Sequence, residues 1–182
     1  GAMIVRSGTN PRFYVFNSLS WARTDYADFH VSNTSAVHVV DIATGEQVPS
    51  QYVTINGRTH LRVLASNVPS VGYKVFEIRS GAGTAFPDAA TISGNVIEND
   101  FYRITVSSTG AITSLIDKKR ANREFARTIN DRAINDLGGI GGSLTVENVG
   151  PVSVTLLATS MNPHTLVSRI TLVRGTNRIE ID

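Results

Sequence analysis

The sequence has 182 residues, of which 41% are apolar and 18% are charged, and its formal net charge is +2. This length and composition are typical of one or two globular domains that bury a sizeable core. The absence of a basic patch with interleaved aromatic residues argues against nucleic-acid binding, and no apolar run approaches the ~20 residues of a membrane span.

The first half of the chain alternates apolar and polar residues at the period of half-buried strands. In residues 26–31, for example, three apolar residues alternate with Tyr26, Asp28 and His30. The strands predicted before residue 80 are 11–17, 26–31, 36–41, 51–55, 59–64 and 73–78. Turn residues separate them at the spacing of a small antiparallel sandwich. The first residues, Gly1-Ala2-Met3, look like a protease-cleavage remnant and are left out of this prediction.

The hairpin around Asn56-Gly57 admits two registers. A two-residue loop places Val53 opposite His60, whereas a three-residue loop that includes Arg58 places Val53 opposite Leu61. A slip of one residue moves every side chain to the other face of the sheet. Because the longer loop pairs two apolar residues, we predict the three-residue loop.

A linker at residues 81–93 is predicted to divide the chain into two β units, since Ser80 to Ala85 are small and flexible. We expect a small β-sandwich at residues 1–80 and a second β domain at residues 94–182. The second domain begins with a hairpin that turns at Gly110.

The remainder of the second unit contains one ambiguous segment and several strands. Residues 118–133 have weak helical periodicity, so a helix and a loop both stay open. Strands are predicted at residues 143–148, 152–159, 166–173 and 178–182. Because the sequence stops inside the last strand, we expect that the natural chain continues and that this second domain is truncated.

Several segments carry motifs in a fixed order. Residues 15–24 read Val-Phe-Asn-Ser-Leu-Ser-Trp-Ala-Arg-Thr, and residues 97–124 combine Ile-Glu-Asn, a Gly110 turn and an Asp-Lys-Lys exit. Together with Val48 to Gln51, Val68 to Phe76 and the tail motifs at residues 147–152 and 170–175, they resemble the C-terminal β-region of family 38 glycoside hydrolases, the α-mannosidases. Ser18 departs from the pattern, because proline is common there. The resemblance implies an all-β fold, a small antiparallel sandwich followed by part of a galactose-mutarotase-like supersandwich.

The resemblance implies that the catalytic residues belong to another domain of the enzyme. Family members carry two carboxylates and a divalent metal, usually zinc, in an N-terminal α/β domain. The four histidines here (His30, His38, His60 and His164) lie in no metal-binding spacing, and there is no cysteine. We therefore predict no catalytic residue, metal or cofactor in this chain and expect it to be inactive alone. Its implied partners are the catalytic domain of the same enzyme and a mannoside substrate of the intact enzyme.

Two groups of polar residues are candidates for contact with substrate. Asn130, Asp131, Asn135 and Asp136 lie in the loop after the Asp-Lys-Lys exit, where the resemblance puts them within reach of a catalytic domain. A plain surface loop is the alternative. Glu98 and Asp100 share one face of a strand, and the alternative for them is a charged strand end.

Aromatic residues leave two further functions open. Trp21, Tyr26, Tyr52, Tyr73 and Tyr102 can stack on sugar rings, so a carbohydrate-binding module predicts that they form an exposed row. A structural or interaction domain predicts an apolar patch without sugar affinity. Trp21 itself is predicted to plug the core beside Leu19. Since cysteine and a signal-peptide pattern are absent, we expect a cytoplasmic location.

Overall fold

The computed structural model describes residues 10–32 and 34–182, so Gly1-Ala2-Met3 lies outside the described residues. Within these ranges the chain forms sixteen β-strands and no helix, which confirms the all-β fold class. It divides into two compact units, Gly1–Phe86 and Pro87–Asp182. A short strand, Thr91–Ser93, lies within the predicted linker, and the predicted domain limits stay a prediction. Nowhere in the described ranges is there a helix with the length and apolar character of a membrane span.

The first unit is a sandwich of two antiparallel sheets. Its strands are β1 (Arg12–Asn17), β2 (Arg23–His30), β3 (Val37–Asp41), β4 (Gln47–Val48), β5 (Ser50–Ile55), β6 (Arg58–Val68) and β7 (Gly72–Ser80). One sheet has the order β1-β7-β3-β4 and the other the order β2-β6-β5. Val39 and Phe76 of the first sheet meet Leu61, Val63 and Ala65 of the second in a common core. Burial between two sheets explains the period of two in the sequence.

The hairpin at Asn56-Gly57 has the two-residue loop, so the predicted three-residue loop is wrong. Val53 pairs with His60, and Ile55 pairs with Arg58. Asn56 and Gly57 have φ angles of 51° and 73°, which fit the mirror-image turn that Asn-Gly favours in hairpins. The pairing of apolar residues does not determine the register here, because the five consecutive residues from Leu61 to Ala65 are all buried. Within this stretch β6 has no exposed face that would favour one register over the other.

The second unit also places two antiparallel sheets around one core. Its strands are β8 (Thr91–Ser93), β9 (Val96–Glu98), β10 (Tyr102–Val106), β11 (Ile112–Asp117), β12 (Arg123–Glu124), β13 (Ile140–Asn148), β14 (Ser153–Asn162), β15 (His164–Val173) and β16 (Ile179–Ile181). The sheet orders are β12-β11-β10-β9-β8 and β13-β14-β15-β16. Ile104 and Ile112 of the first sheet pack in one cluster with Leu156 and Ile170 of the second. Apolar residues at alternate positions of the central strands therefore form the core.

The hairpin of β10 and β11 turns at Gly110, whose φ is 89°. The Ser107 side chain accepts a hydrogen bond from the Ala111 N–H at 3.1 Å and closes the turn. After β11 the chain forms the two-residue strand β12 and continues as a loop to residue 139, so the loop alternative for residues 118–133 is the correct one.

A buried carboxylate on β7 links two arginines in the first unit. Glu77 accepts hydrogen bonds from Arg79 Nε at 2.8 Å and Arg12 Nε at 2.6 Å. These bonds, that from Arg79 foremost, lower the pKa of Glu77 from its ordinary 4.5 to about 2. A pKa lowered by folding contributes stability that is present above pH 4.5 and is lost as the pH falls towards 2.

Glu77→Gln is therefore expected to be less stable than the wild type near neutral pH, with a difference that shrinks between pH 4.5 and pH 2. Urea unfolding of the first unit across this pH range measures the effect. Glu46→Gln, at an exposed position of the same unit, is the control and should leave the profile unchanged. A difference between Glu77→Gln and wild type that stays constant across the range would contradict this assignment.

Candidate functional site

The predicted substrate-proximal loop begins with a tight turn at Asn130 and Asp131. The N–H of Ile129 donates to the Arg132 carbonyl at 2.9 Å, and the N–H of Arg132 donates back at 3.1 Å. Asn130 and Asp131, both exposed, have φ angles of 50° and 61°. Asparagine and aspartate tolerate this left-handed conformation better than other residues with a side chain. Their residue types therefore have a conformational reason that needs no ligand.

The other two loop candidates are engaged with the chain itself. Asn135, with φ 58°, donates from Nδ2 to the Gly110 carbonyl at 3.0 Å and to Ser168 Oγ at 2.6 Å. Asp136 Oδ1 accepts the N–H of Gly138 at 2.8 Å. The amide of Asn135 thus ties the loop to the β10–β11 turn and to β15. The four candidates share one loop, and their proximity to substrate stays a prediction.

The anchoring role of Asn135 predicts a loss of stability when its amide is removed. Asn135→Gly keeps a residue that accepts positive φ but deletes both hydrogen bonds, so we expect the second unit to lose about 1–3 kcal/mol of unfolding free energy. Asp131→Gly is the matched control, because it alters an exposed positive-φ position, and it should change stability by less than about 0.5 kcal/mol. Urea unfolding monitored by circular dichroism compares the two. Equal stability of both variants would show that the Asn135 hydrogen bonds are not anchors.

Glu98 and Asp100 lie at the rim of an open pocket of about 470 Å³ in the second unit, lined also by Asp88, Phe101 and Lys118. Glu98 Oε1 accepts a hydrogen bond from Lys118 Nζ at 2.7 Å, which neutralises its charge. Asp100 is exposed. A glycosidase needs two carboxylates that flank one scissile bond. The ion pair at Glu98 favours the charged strand end over a catalytic pair.

Side chains that could bind a metal are dispersed over the described ranges. There, no group of three or more His, Asp or Glu side chains is arranged to hold a metal ion. His38 Nδ1 lies 2.9 Å from the Gly81 carbonyl oxygen, and His60 Nδ1 lies 3.0 Å from that of Arg58. His30 and His60 lie side by side, with ring centroids 5.4 Å apart. Two of the four histidines that are scattered in the sequence are therefore neighbours in the fold.

An exposed cluster of aromatic rings lies on the outer surface of the β1-β7-β3-β4 sheet. Phe13 and Val15 point into the core, so the alternating residues Tyr14 and Phe16 point outwards. Phe16 pairs with Tyr73 of β7, and the rings of Tyr14 and Tyr73 make an edge-to-face contact at 6.4 Å. Tyr14, Phe16 and Tyr73 are 53%, 56% and 57% exposed. We call these three residues the outer aromatic face.

Trp21 is also exposed, at 61%, so its prediction as a core plug is wrong. The turn before it is closed by Asn17 instead. The buried amide of Asn17 donates to the carbonyl oxygens of Trp21, Val68 and Pro69 at 2.7, 3.1 and 3.0 Å. The Asn17 side chain therefore holds the turn, and the indole is exposed to solvent.

The other aromatic candidates do not join this face. Tyr52 packs on the core and donates its hydroxyl to the Ser35 carbonyl at 2.7 Å, and Tyr102 does the same to Asn177 at 2.9 Å. The ring of Tyr26 contacts the Arg62 guanidinium at 3.9 Å. Tyr14 and Phe16 were not among the aromatic candidates predicted from the sequence. Aromatic residues at both odd and even positions of β1 indicate that one ring must lie on the outer face of the sheet.

Known structures share this architecture. One is a protein in glycosyl hydrolase family 38 from Enterococcus faecalis, with a TM-score of 0.61 and 13% sequence identity over 94% of this chain and 30% of that chain. Another is an α-mannosidase from Enterococcus faecalis V583, with a TM-score of 0.59 and 12% identity over 93% of this chain and 29% of that chain. The chain has the fold of part of these proteins. It spans less than a third of their length.

The structural likeness agrees with the motif resemblance in the sequence at the level of the fold. No protein-family model matches the sequence, and neither does any curated protein sequence. At 12–13% identity, the shared feature is the arrangement of strands and not the side chains of a site. Function therefore has to be argued from the residues of this chain.

Proposed function

We propose that this chain is the non-catalytic C-terminal β-region of an α-mannosidase-like glycoside hydrolase, and that it packs on the catalytic domain of that enzyme. The observation that carries the proposal is the fold likeness, which spans almost all of this chain but less than a third of the similar proteins. The ordered motifs at residues 15–24 and 97–124 support the same assignment. Hydrolysis of α-mannosidic bonds belongs to the intact enzyme.

The outer aromatic face is the surface that this proposal assigns to the catalytic domain. Three adjacent aromatic side chains that are each more than half exposed form an apolar patch of the kind that marks an interaction site. Burial of such rings against another domain is favourable because each removes a large apolar area from water.

The chemistry of the intact enzyme lies outside this chain in the proposal. Two carboxylates and a divalent metal, zinc in most family members, would be held by the catalytic domain. The mannoside would bind there, with the loop at Asn130 to Asp136 as the one segment of this chain near the sugar. Hydrolysis of an aryl α-mannoside by the 182-residue chain alone would overturn this division of roles.

The docking role is tested in the natural full-length protein. Phe16→Ser combined with Tyr73→Ser removes the two rings that pair across β1 and β7, and we expect a lower melting temperature of the catalytic domain and slower hydrolysis of an aryl α-mannoside. Ile140→Ser with Val146→Ser is the matched control, because these β13 residues are 73% and 50% exposed and lie on the other unit. If both double variants behave like wild type, the outer aromatic face does not dock the catalytic domain.

The same exposed rings favour a second candidate, a carbohydrate-binding module. Tyrosine and tryptophan faces stack on the apolar side of pyranose rings, and Tyr73 and Trp21 are accessible. Calorimetric titration of mannose and manno-oligosaccharides into the 182-residue chain separates the candidates. Saturable binding that Tyr73→Ser abolishes would favour the module, whereas the docking proposal expects no binding heat. A structural or interaction domain, the third interpretation, predicts neither sugar binding nor an effect on hydrolysis.

A further inference from the structure

Two histidines of the first unit face each other across neighbouring strands. His30 is the last residue of β2, and His60 lies near the start of β6. They are direct partners in the antiparallel register, and their ring centroids are 5.4 Å apart. The ladder continues past the pair, since the Val31 N–H donates to the Thr59 carbonyl at 3.2 Å. The backbone beneath both imidazoles is therefore fixed.

The hydrogen bond of His60 selects the nitrogen that is free to bind a ligand. Its Nδ1 lies 3.0 Å from the Arg58 carbonyl oxygen, and a carbonyl can only accept a hydrogen bond. In the neutral tautomer that makes this hydrogen bond, Nδ1 carries the proton and Nε2 keeps its lone pair. Metal-bound histidines characteristically have this arrangement, in which the second ring nitrogen donates to a carbonyl or carboxylate. His30 is exposed, and its ring makes no hydrogen bond within the described residues.

The separation of the two rings suits a shared metal ion. Metal–imidazole bonds are about 2.0–2.1 Å long, so two nitrogens that share a tetrahedral ion lie roughly 3.3 Å apart. Two imidazoles whose centroids are 5.4 Å apart can present nitrogens at this separation. Rotation of the side chains about their own torsions is then enough to bring both nitrogens onto one ion, without movement of the strands. Two ligands held by a rigid sheet lose little entropy on binding.

We propose that His30 and His60 form a two-histidine binding site for a divalent transition-metal ion of the class that prefers imidazole, namely Zn²⁺, Ni²⁺ or Cu²⁺. Water fills the remaining coordination positions, because the described residues supply no third protein ligand to a common group. The site lies on the β2-β6-β5 sheet of the first unit. It does not depend on the proposed function.

Spacings along the chain do not reveal this pair of histidines. His30 and His60 are thirty positions apart and become neighbours through the pairing of β2 with β6, which no local motif encodes. Cross-strand partners on one face have side chains close enough to interact, and this includes joint ligation of an ion.

Titration of Zn²⁺ and of Ni²⁺ into the 182-residue chain tests the site. Wild type is expected to bind one equivalent of either ion, followed by calorimetry, and to gain thermal stability in its presence. His30→Gln and His60→Gln should each weaken the affinity at least tenfold and abolish the gain in melting temperature. Since His30 is exposed, His30→Gln keeps the test valid even if His60→Gln perturbs folding.

His38→Gln is the matched control. His38 also lies on a strand with Nδ1 against a carbonyl oxygen, at 2.9 Å from that of Gly81, but His30 and His60 are elsewhere on the other sheet. It should bind the ions like wild type. Equal loss of affinity in His38→Gln, or wild-type affinity in the His30→Gln/His60→Gln double variant, would overturn the proposal.

Discussion

Gly110→Ala is expected to lower the free energy of unfolding of the second unit by about 2–4 kcal/mol, as the sum of two costs. Gly110 has a φ of 89°, where a residue with a Cβ is strained. A Cβ at this position would also lie 2.8 Å from Ser168 Cβ and 3.2 Å from Ala158 Cβ. The turn of the β10–β11 hairpin therefore sits directly on β14 and β15.

Gly94→Ala separates these two costs. Gly94 also has a positive φ, of 59°, but an added Cβ there meets nothing within 4 Å. This control should cost about 1–2 kcal/mol, from the backbone conformation alone. Urea unfolding followed by circular dichroism measures both variants. If Gly94→Ala is as damaging as Gly110→Ala, the close approach to Ser168 contributes nothing.

Gly110→Ala is also expected to affect the candidate loop at residues 130–136. The Gly110 carbonyl and the Ser168 hydroxyl are the two acceptors of the Asn135 amide, at 3.0 and 2.6 Å. A shift of the turn away from β15 separates these acceptors and releases the loop. The motif-rich segment at residues 97–119, which runs from the end of β9 through the β10–β11 hairpin, thus has a structural function, since its Gly110 turn positions the loop in which the sequence predicts contact with substrate.

Strands with a clear period of two were predictable from sequence. The predicted strands at residues 26–31 and 166–173 correspond to β2 and β15, because alternation of burial across a sandwich constrains every second residue. Strands of two or three residues, such as β4 and β8, are too short to show a period. The pairing of β1 with β7 joins segments some sixty residues apart, and hydropathy carries no information on such partners.

The candidate site was less predictable than the fold. The asparagines and aspartates at residues 130–136 are predicted to lie near substrate, with a plain surface loop as the alternative, and Asn130 and Asp131 occupy the left-handed positions of a turn. Turn conformation and ligand binding favour the same residue types, so composition cannot separate them. The prediction for Trp21 is wrong. Its place at the end of a turn beside Leu19 favoured a core plug, yet Asn17 holds the turn and the indole is exposed.

The proposed interaction role of the first unit has two separate supports. The fold likeness relates the chain to a minor part of much longer proteins, and the outer aromatic face presents apolar rings that the unit itself does not cover. Neither depends on the other. On β7, Phe76 faces the core while Tyr73 faces outwards, so one strand carries both the residue that builds the unit and one that is available to a partner.

Phe76→Ala is expected to lower the free energy of unfolding of the first unit by about 3–5 kcal/mol. The Phe76 side chain is fully buried, and its ring stacks on Phe13 with centroids 5.5 Å apart. Phe13 in turn stacks on Phe29, with centroids 5.3 Å apart. The cavity that the substitution leaves at position 76 would therefore remove one of three stacked rings that connect the two sheets. Such a loss is a large part of the 5–15 kcal/mol typical of a domain.

Tyr73→Ala is the matched control for this substitution. It removes an aromatic ring from the same strand but from the exposed outer aromatic face, so the 182-residue chain should lose less than about 1 kcal/mol. Amide hydrogen exchange of β3, β6 and β7 measures both variants in the native state. Equal loss of protection in Phe76→Ala and Tyr73→Ala would mean that the outer aromatic face also stabilises the first unit. Its rings would then have a structural role that does not require a partner.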